Sequence, residues 1–150
     1  MNDLPQVLDV RTIARTRLFH IEAVDLKFGN GHYAQFERFM GDGSGSVLVI
    51  PMPDAQHLLL LREYAVGCER YELGFVKGRI DAGESPRDAA LREMREEIGY
   101  AAREIVELAA VGLTPAYSNY RTMIFLAQGL YPDPLPGDEP EPLETMSWPL

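Results

Sequence analysis

The sequence predicts a mixed α/β domain. Short apolar or alternating runs recur along the chain with turn residues between them. One segment, residues 86–98, has the composition and the borders of a helix. Strand-like runs lie on both sides of that segment, so a single helix interrupts a strand-rich chain. The chain has 150 residues, enough for one hydrophobic core.

The elements follow in order. From about Val7 to Met40 the chain reads as an antiparallel strand system. LFHIEAVDLKF alternates apolar and polar residues, Gly29-Asn30-Gly31 turns the chain, and HYAQFERFM returns. Residues 41–46 form a Gly/Ser/Asp linker, so an N-terminal strand module (1–45) precedes a main domain (46–150). SVLVIPM and HLLLLREYAV read as buried strands, and VGLTPAYS and TMIFLAQGLY as two more. The helix has Ser85 at its N-cap, Pro86 at its first position and Asp88 three residues after the cap. Gly99 stands where a left-handed residue closes a helix. Residues 132–142 are Pro-rich and acidic and predict an exposed loop. The apolar stretch Met146–Leu150 reads as the approach to another element, with a C-terminal helix missing after it.

Charge and cysteine usage narrow the functional classes. A formal net charge of −9 argues against nucleic acid or an anionic membrane as partner, because both are negative. A small phosphate ester remains compatible if metal ions screen the site. Cys68 is the single cysteine, which excludes an intrachain disulfide and suits a reducing cytoplasm; a buried, inert thiol is expected. The N-terminus has no apolar stretch of the signal-peptide kind, and Pro51 and Pro53 break the apolar run around residues 47–61. His20, His32 and His57 have no metal-ligand spacing and read as structural or solvent-facing.

The chemistry lies in residues 78–100. A helix turns about 100° per residue, so Leu91, Met94 and Ile98 share a buried face. Glu93, Glu96 and Glu97 fall together on a neighbouring face. Like charges so placed disfavour a helix by roughly 0.2–0.5 kcal/mol per pair. A hard divalent cation reverses that sign, because clustered carboxylates supply the oxygen ligands it needs. Glu84, just before the helix, can reach the same patch, and Arg92 can pair with one carboxylate and fix its rotamer. A plain solvated face is the competing explanation for an isolated EMREE.

The full spacing decides between them. It matches G-x5-E-x7-R-E-U-x-E-E-x-G-U, with U a bulky apolar residue and Tyr100 a variant at the last position. This stretch resembles the Nudix box. The resemblance implies an α/β/α sandwich around a mixed sheet, with the box forming a loop–helix–loop. It implies Mg²⁺, with Mn²⁺ as a possible substitute, held by Glu93, Glu97, Glu96 and the Lys77 backbone carbonyl, and by Glu84 through water. It also implies that Arg92 orients a carboxylate and that metal-activated water attacks one phosphorus of a diphosphate linkage.

The likeness covers nearly the whole chain. The N-terminal module resembles the dimerising module of ADP-ribose pyrophosphatases, which implies a homodimer. LLLLREYAVGCERYELGFVKG and GLYPDPLPGDEPEPLE resemble the ADP-compounds hydrolases of the NudE group. That group acts on ADP-ribose, diadenosine polyphosphates and NADH. The implied substrate contacts are Arg62 for phosphate, Tyr64 and Tyr117 for adenine, and Glu72 and Ser118. Tyr71 and Phe75 are further stacking candidates. The chain departs from the pattern at Val76, where many relatives have Pro, and in residues 114–121, where no loop glutamate occurs. The general base is then Glu139 or Glu141 from the acidic loop, or Glu96 itself. Other Nudix nucleotide or sugar-nucleotide hydrolases, or a non-catalytic nucleotide-binding Nudix regulator, are the alternatives.

Overall fold

The computed structural model describes residues 3–150, which fall into two compact units. The first runs up to Gly43 and includes Gly112–Arg121; the second comprises Ser44–Val111 and Thr122–Leu150.

In the first unit, β1 (Gln6–Arg15), β2 (His20–Lys27) and β3 (Tyr33–Phe39) form an antiparallel sheet in that order. The predicted turn holds. Gly31 has φ 82°, the His32 amide donates to Asn30 Oδ1 at 3.0 Å, and the Phe28 amide donates to the His32 carbonyl. Arg38 pairs with Glu22 across the β2–β3 ladder at 3.0 and 2.8 Å. The strand predicted over residues 111–118 does not form. Instead the Tyr117 and Ser118 amides both donate to the Thr114 carbonyl, closing a turn around Pro115. Proline lacks the amide a strand ladder needs and favours such turns.

The second unit has two sheets. β4 (Ser46–Pro51), β7 (Val76–Arg79), β8 (Tyr100–Val111) and β9 (Thr122–Pro132) form a mixed sheet in the order β7-β4-β9-β8, with β4 and β9 parallel. β5 (His57–Ala65), β6 (Arg70–Gly74) and β10 (Glu144–Pro149) form an antiparallel sheet in the order β10-β5-β6. β8 has no counterpart among the predicted strands. Its residues, YAAREIVELAAV, are mostly good helix formers. Pairing with β9 along its length, with a bulge between Glu107 and Ala109, overrides that preference. The C-terminal stretch read as an approach to another element is itself β10, antiparallel to β5. Cys68, expected buried, is exposed in the turn after β5.

The helix α1 (Pro86–Glu97) packs on β4, β7 and β8. Ser85 caps it, its hydroxyl accepting from the Asp88 amide at 3.1 Å, and Gly99 follows it at φ 73°. Met94 is fully buried, as expected of its face, and Leu91 and Ile98 pack at the margin. Ala89 and Ala90 complete the contact with Val47, Val49, Leu61, Val76 and Phe125. Burying a methionine side chain contributes about 1.5–3 kcal/mol, so this seam fixes the helix on the sheet. The acidic loop is not simply solvated. The Asp133 and Leu135 amides donate to the carbonyls of Gly99 and Arg95, both at 3.0 Å, and Arg95 pairs with Asp133.

Candidate active site

The box glutamates meet at the seam between α1 and β7. Met94 anchors α1 in the core, so the neighbouring helix face carrying Glu93 and Glu97 lies against the β7 backbone. Gly78 makes this approach possible. A Cβ on Gly78 would collide with the Glu93 carboxylate, so any larger residue forces the carboxylate or the strand to move. Glu97 accepts from the Lys77 backbone amide at 3.2 Å.

Arg92 organises the rest. Its Nε and Nη2 donate to both oxygens of Glu84 at 3.0 Å. Its Nη1 donates to Glu93 at 2.7 Å and Glu96 at 2.8 Å, and Nη2 also donates to the Arg79 carbonyl. Its spacing predicts one carboxylate partner; the planar fork reaches three. This pairing holds the Glu84 carboxyl below its ordinary range and the Arg92 proton more tightly than usual.

Glu93 and Glu97 behave oppositely. Burial pushes both carboxyls up, Glu97 to about 8, with repulsion from Glu96 and Asp138 adding to the effect at Glu93 and repulsion from Glu93 and Glu63 at Glu97. A carboxylate withdrawn from water beside another carboxylate is unfavourable until a cation joins it. Their oxygens are hard donors of the kind Mg²⁺ and Mn²⁺ take, so the residues fit a divalent ion. Among the described residues no three His, Cys, Asp or Glu side chains stand in a ready-made metal cage. Arg92 draws Glu93 and Glu96 toward itself, so a cation would share them with the guanidinium.

The patch extends past the box. Lys77 Nζ pairs with Glu63 of β5, and Glu72 stands directly across from Glu63 on β6, paired with Arg70 at 2.5 Å. Burial, Glu63 and Asp138 push the Glu139 carboxyl up, while Lys77 pulls it down. The acidic loop therefore faces the same carboxylates. Glu63, the Lys77 side chain and Asp138 escaped the sequence argument. Alternation along β5, with Leu61 buried in the core and Glu63 two residues on, was the available signal.

Arg62 and Tyr64 alternate with Glu63 and lie on the opposite face of β5. There the Arg62 guanidinium stacks on the Tyr71 ring at 4.1 Å and pairs with Glu144 at 3.4 Å. Tyr64 meets Tyr71 edge-on at 5.5 Å. Tyr117 and Ser118 belong to the first unit, where the Tyr117 carbonyl accepts from the Phe39 amide at 2.6 Å and Ser118 Oγ accepts from the Tyr120 amide at 3.1 Å.

The chain is similar to known proteins along most of its length. Residues 5–38 match the NudE-type Nudix hydrolase N-terminal domain, and residues 44–149 match the NUDIX domain. The chain is 49% identical over 146 residues to the ADP compounds hydrolase NudE of Escherichia coli, covering 97% of this chain and 78% of that one. It is 27% identical over 128 residues to the ADP-ribose pyrophosphatase of Bacillus subtilis, covering 82% and 68% of the two chains. A solved crystal structure of an ADP compounds hydrolase superposes with a TM-score of 0.94 at 46% identity, covering 99% of this chain and 80% of the other. With its box intact and the domain matched over most of its length, the chain belongs to the Nudix hydrolases, in their NudE-type group.

Proposed function

We propose that this enzyme hydrolyses the diphosphate linkage of ADP-containing compounds (ADP-ribose, diadenosine polyphosphates and NADH), giving AMP and a second phosphorylated product. The observation that carries this reading is the convergence of Glu84, Glu93, Glu96 and Glu97 with Arg92 at the β7 edge, two of the carboxylates being pushed up by burial. The names of its relatives support the substrate class: ADP compounds hydrolase, ADP-ribose pyrophosphatase and, in mouse, an ADP-sugar pyrophosphatase at 35% identity over 121 residues.

Glu93, Glu97, Glu96 and the Lys77 carbonyl would hold Mg²⁺, or Mn²⁺ in its place, with Glu84 acting through water. When bound, the ion neutralises the diphosphate oxygens and lowers the pKa of a water molecule. Arg92 keeps Glu84 ionised and orients Glu93 and Glu96. Glu139 takes the proton of the attacking water, since its carboxyl is pushed in the direction a base near neutral pH requires. Glu96 is less suited, being held by Arg92 at 2.8 Å. Glu72 shares a sheet face with Glu63, which supports a role for it in reading the substrate. Arg62 and Tyr64 face the other way and are not assigned to the same subsite.

We also propose a homodimer and a cytoplasmic location. Val7, Val10, Ile13 and Phe36 of the first unit are roughly half exposed and support self-association. The lone cysteine suits a reducing compartment. No helix among the described residues is long and apolar enough to cross a membrane. Light scattering after gel filtration checks the dimer; a monomer at micromolar concentration would overturn it.

The decisive experiment incubates the protein with Mg²⁺ and ADP-ribose, diadenosine triphosphate, NADH or nucleoside triphosphates and identifies products by mass. AMP with a second phosphate ester is expected. Nucleoside monophosphate with pyrophosphate would assign it to triphosphates, and tight binding without turnover would make it a regulator. Glu97→Gln should lower turnover by at least about a hundredfold with the fold unchanged by circular dichroism.

A further inference from the structure

Tyr71 of β6 touches the acidic loop at a point the reaction does not obviously need. Its hydroxyl donates to Glu141 Oε1 at 2.8 Å, across 70 residues of sequence. Glu141 is two residues from Glu139, with Pro140 between them. The Tyr71 ring is itself held: the Arg62 guanidinium lies over one face at 4.1 Å, and Tyr64 meets it edge-on at 5.5 Å. Arg62 in turn pairs with Glu144, the first residue of β10.

The other end of the loop is also fixed. The Asp133 and Leu135 amides bond to the carbonyls of Gly99 and Arg95 at the C-terminal end of α1. A Cβ at Gly137 would lie 3.2 Å from the Glu96 carbonyl oxygen, so the loop backbone passes closely over the helix. Between the two anchors remain Asp138, Glu139 and Pro140, and proline removes one backbone rotation. A segment this short, tied at both ends, has few conformations left. Remove the downstream tie and the next hold on the chain is Leu143, packed against the core, so residues 138–142 gain freedom.

We propose that Tyr71 is a positioning residue: its hydrogen bond to Glu141 latches the acidic loop so that Glu139 is held beside Glu63 and Lys77, at the margin of the box carboxylates. The Arg62–Tyr71–Tyr64 stack is the rigid post to which the latch is fastened, which gives these side chains a role on the face of β5 opposite Glu63. The inference rests on the reading of Glu139 as the base, and the two fail separately.

The test uses the full chain. Tyr71→Phe keeps the ring and the Arg62 stack and removes only the hydroxyl. In the metal-free protein, the ¹⁵N order parameter of the Glu139 amide should fall from about 0.85 to below about 0.6, with α1 unchanged. Turnover should fall about tenfold with KM within about twofold of wild type, the split expected when a positioned group is lost but substrate binding is kept. Glu141→Ala should reproduce both effects, and Glu141→Gln, which retains an acceptor oxygen, should recover most of the loss. Combining Tyr71→Phe with Glu141→Ala should be no worse than either alone. An unchanged order parameter in Tyr71→Phe overturns the latch. A raised KM at unchanged turnover also overturns it, since Tyr71 would then be touching substrate. Glu139→Gln addresses the underlying reading independently: near wild-type turnover there would remove Glu139 from the chemistry even where the loop measurements stand.

Discussion

At the scale of single residues, Gly78 and Arg92 do more than their places in a motif announce. Gly78 is needed for space, since the Glu93 carboxylate lies where its Cβ would be. Gly78→Ala should therefore displace the Glu93 carboxylate, the far end of a flexible side chain, and lower turnover at least tenfold at little cost in stability by urea denaturation. A variant with normal turnover would show that the seam has slack. Arg92 binds three carboxylates through one planar group. Lysine keeps the charge but not the fork, so Arg92→Lys should lose at least tenfold in turnover and weaken Mg²⁺ binding measured by calorimetry. Full activity in Arg92→Lys would reduce the arginine to a simple counter-charge. The single residue also marks where sequence reasoning stopped: the helix spacing identified Glu93, Glu96 and Glu97, but not which of them Arg92 would reach.

At the scale of elements, α1 was legible almost residue by residue. Its cap, first proline, buried methionine and closing glycine are local signals that act within a turn or two. Ser85→Ala should destabilise the protein by about 0.5–2 kcal/mol, read from the denaturant midpoint at unchanged slope. No shift in midpoint would mean that the Asp88 amide finds another acceptor. Strands were less legible. β8 is built from residues that favour helices, and only its ladder with β9 makes it a strand. The segment after it has strand-like residues yet turns at Thr114–Tyr117. Strand identity is fixed by partners distant in sequence, and such partners leave no mark on the run itself.

At the scale of the whole molecule, the acidic patch should make stability depend on pH and on divalent metal. Burial pushes the Glu97 carboxyl from its ordinary 4.5 up to about 8 in the folded chain. Between those values the folded state binds more protons than the unfolded one, so stability falls as pH rises. Burial of Glu93 acts in the same direction. The melting temperature in chelator should therefore drop from pH 5 to pH 8, and Glu97→Gln should flatten the slope. Saturating Mg²⁺ should raise the melting temperature more at pH 8 than at pH 5, because the ion competes with fewer protons there. A melting temperature that rises with pH in chelator would contradict the burial of these carboxylates.

The sequence by itself determined the helix, its caps, the identity of the box glutamates and the family's chemistry. Each of these depends on spacing along one element, where the helix period converts order in sequence into position in space. Only the tertiary structure decided which carboxylates share Arg92, that Glu63, Lys77 and the acidic loop join the patch, and that Arg62 and Tyr64 turn to the other face of β5. Those relations join residues from different elements. Their contacts follow from sheet register and loop closure, which are set by the packing of the whole core rather than by any local run of residues.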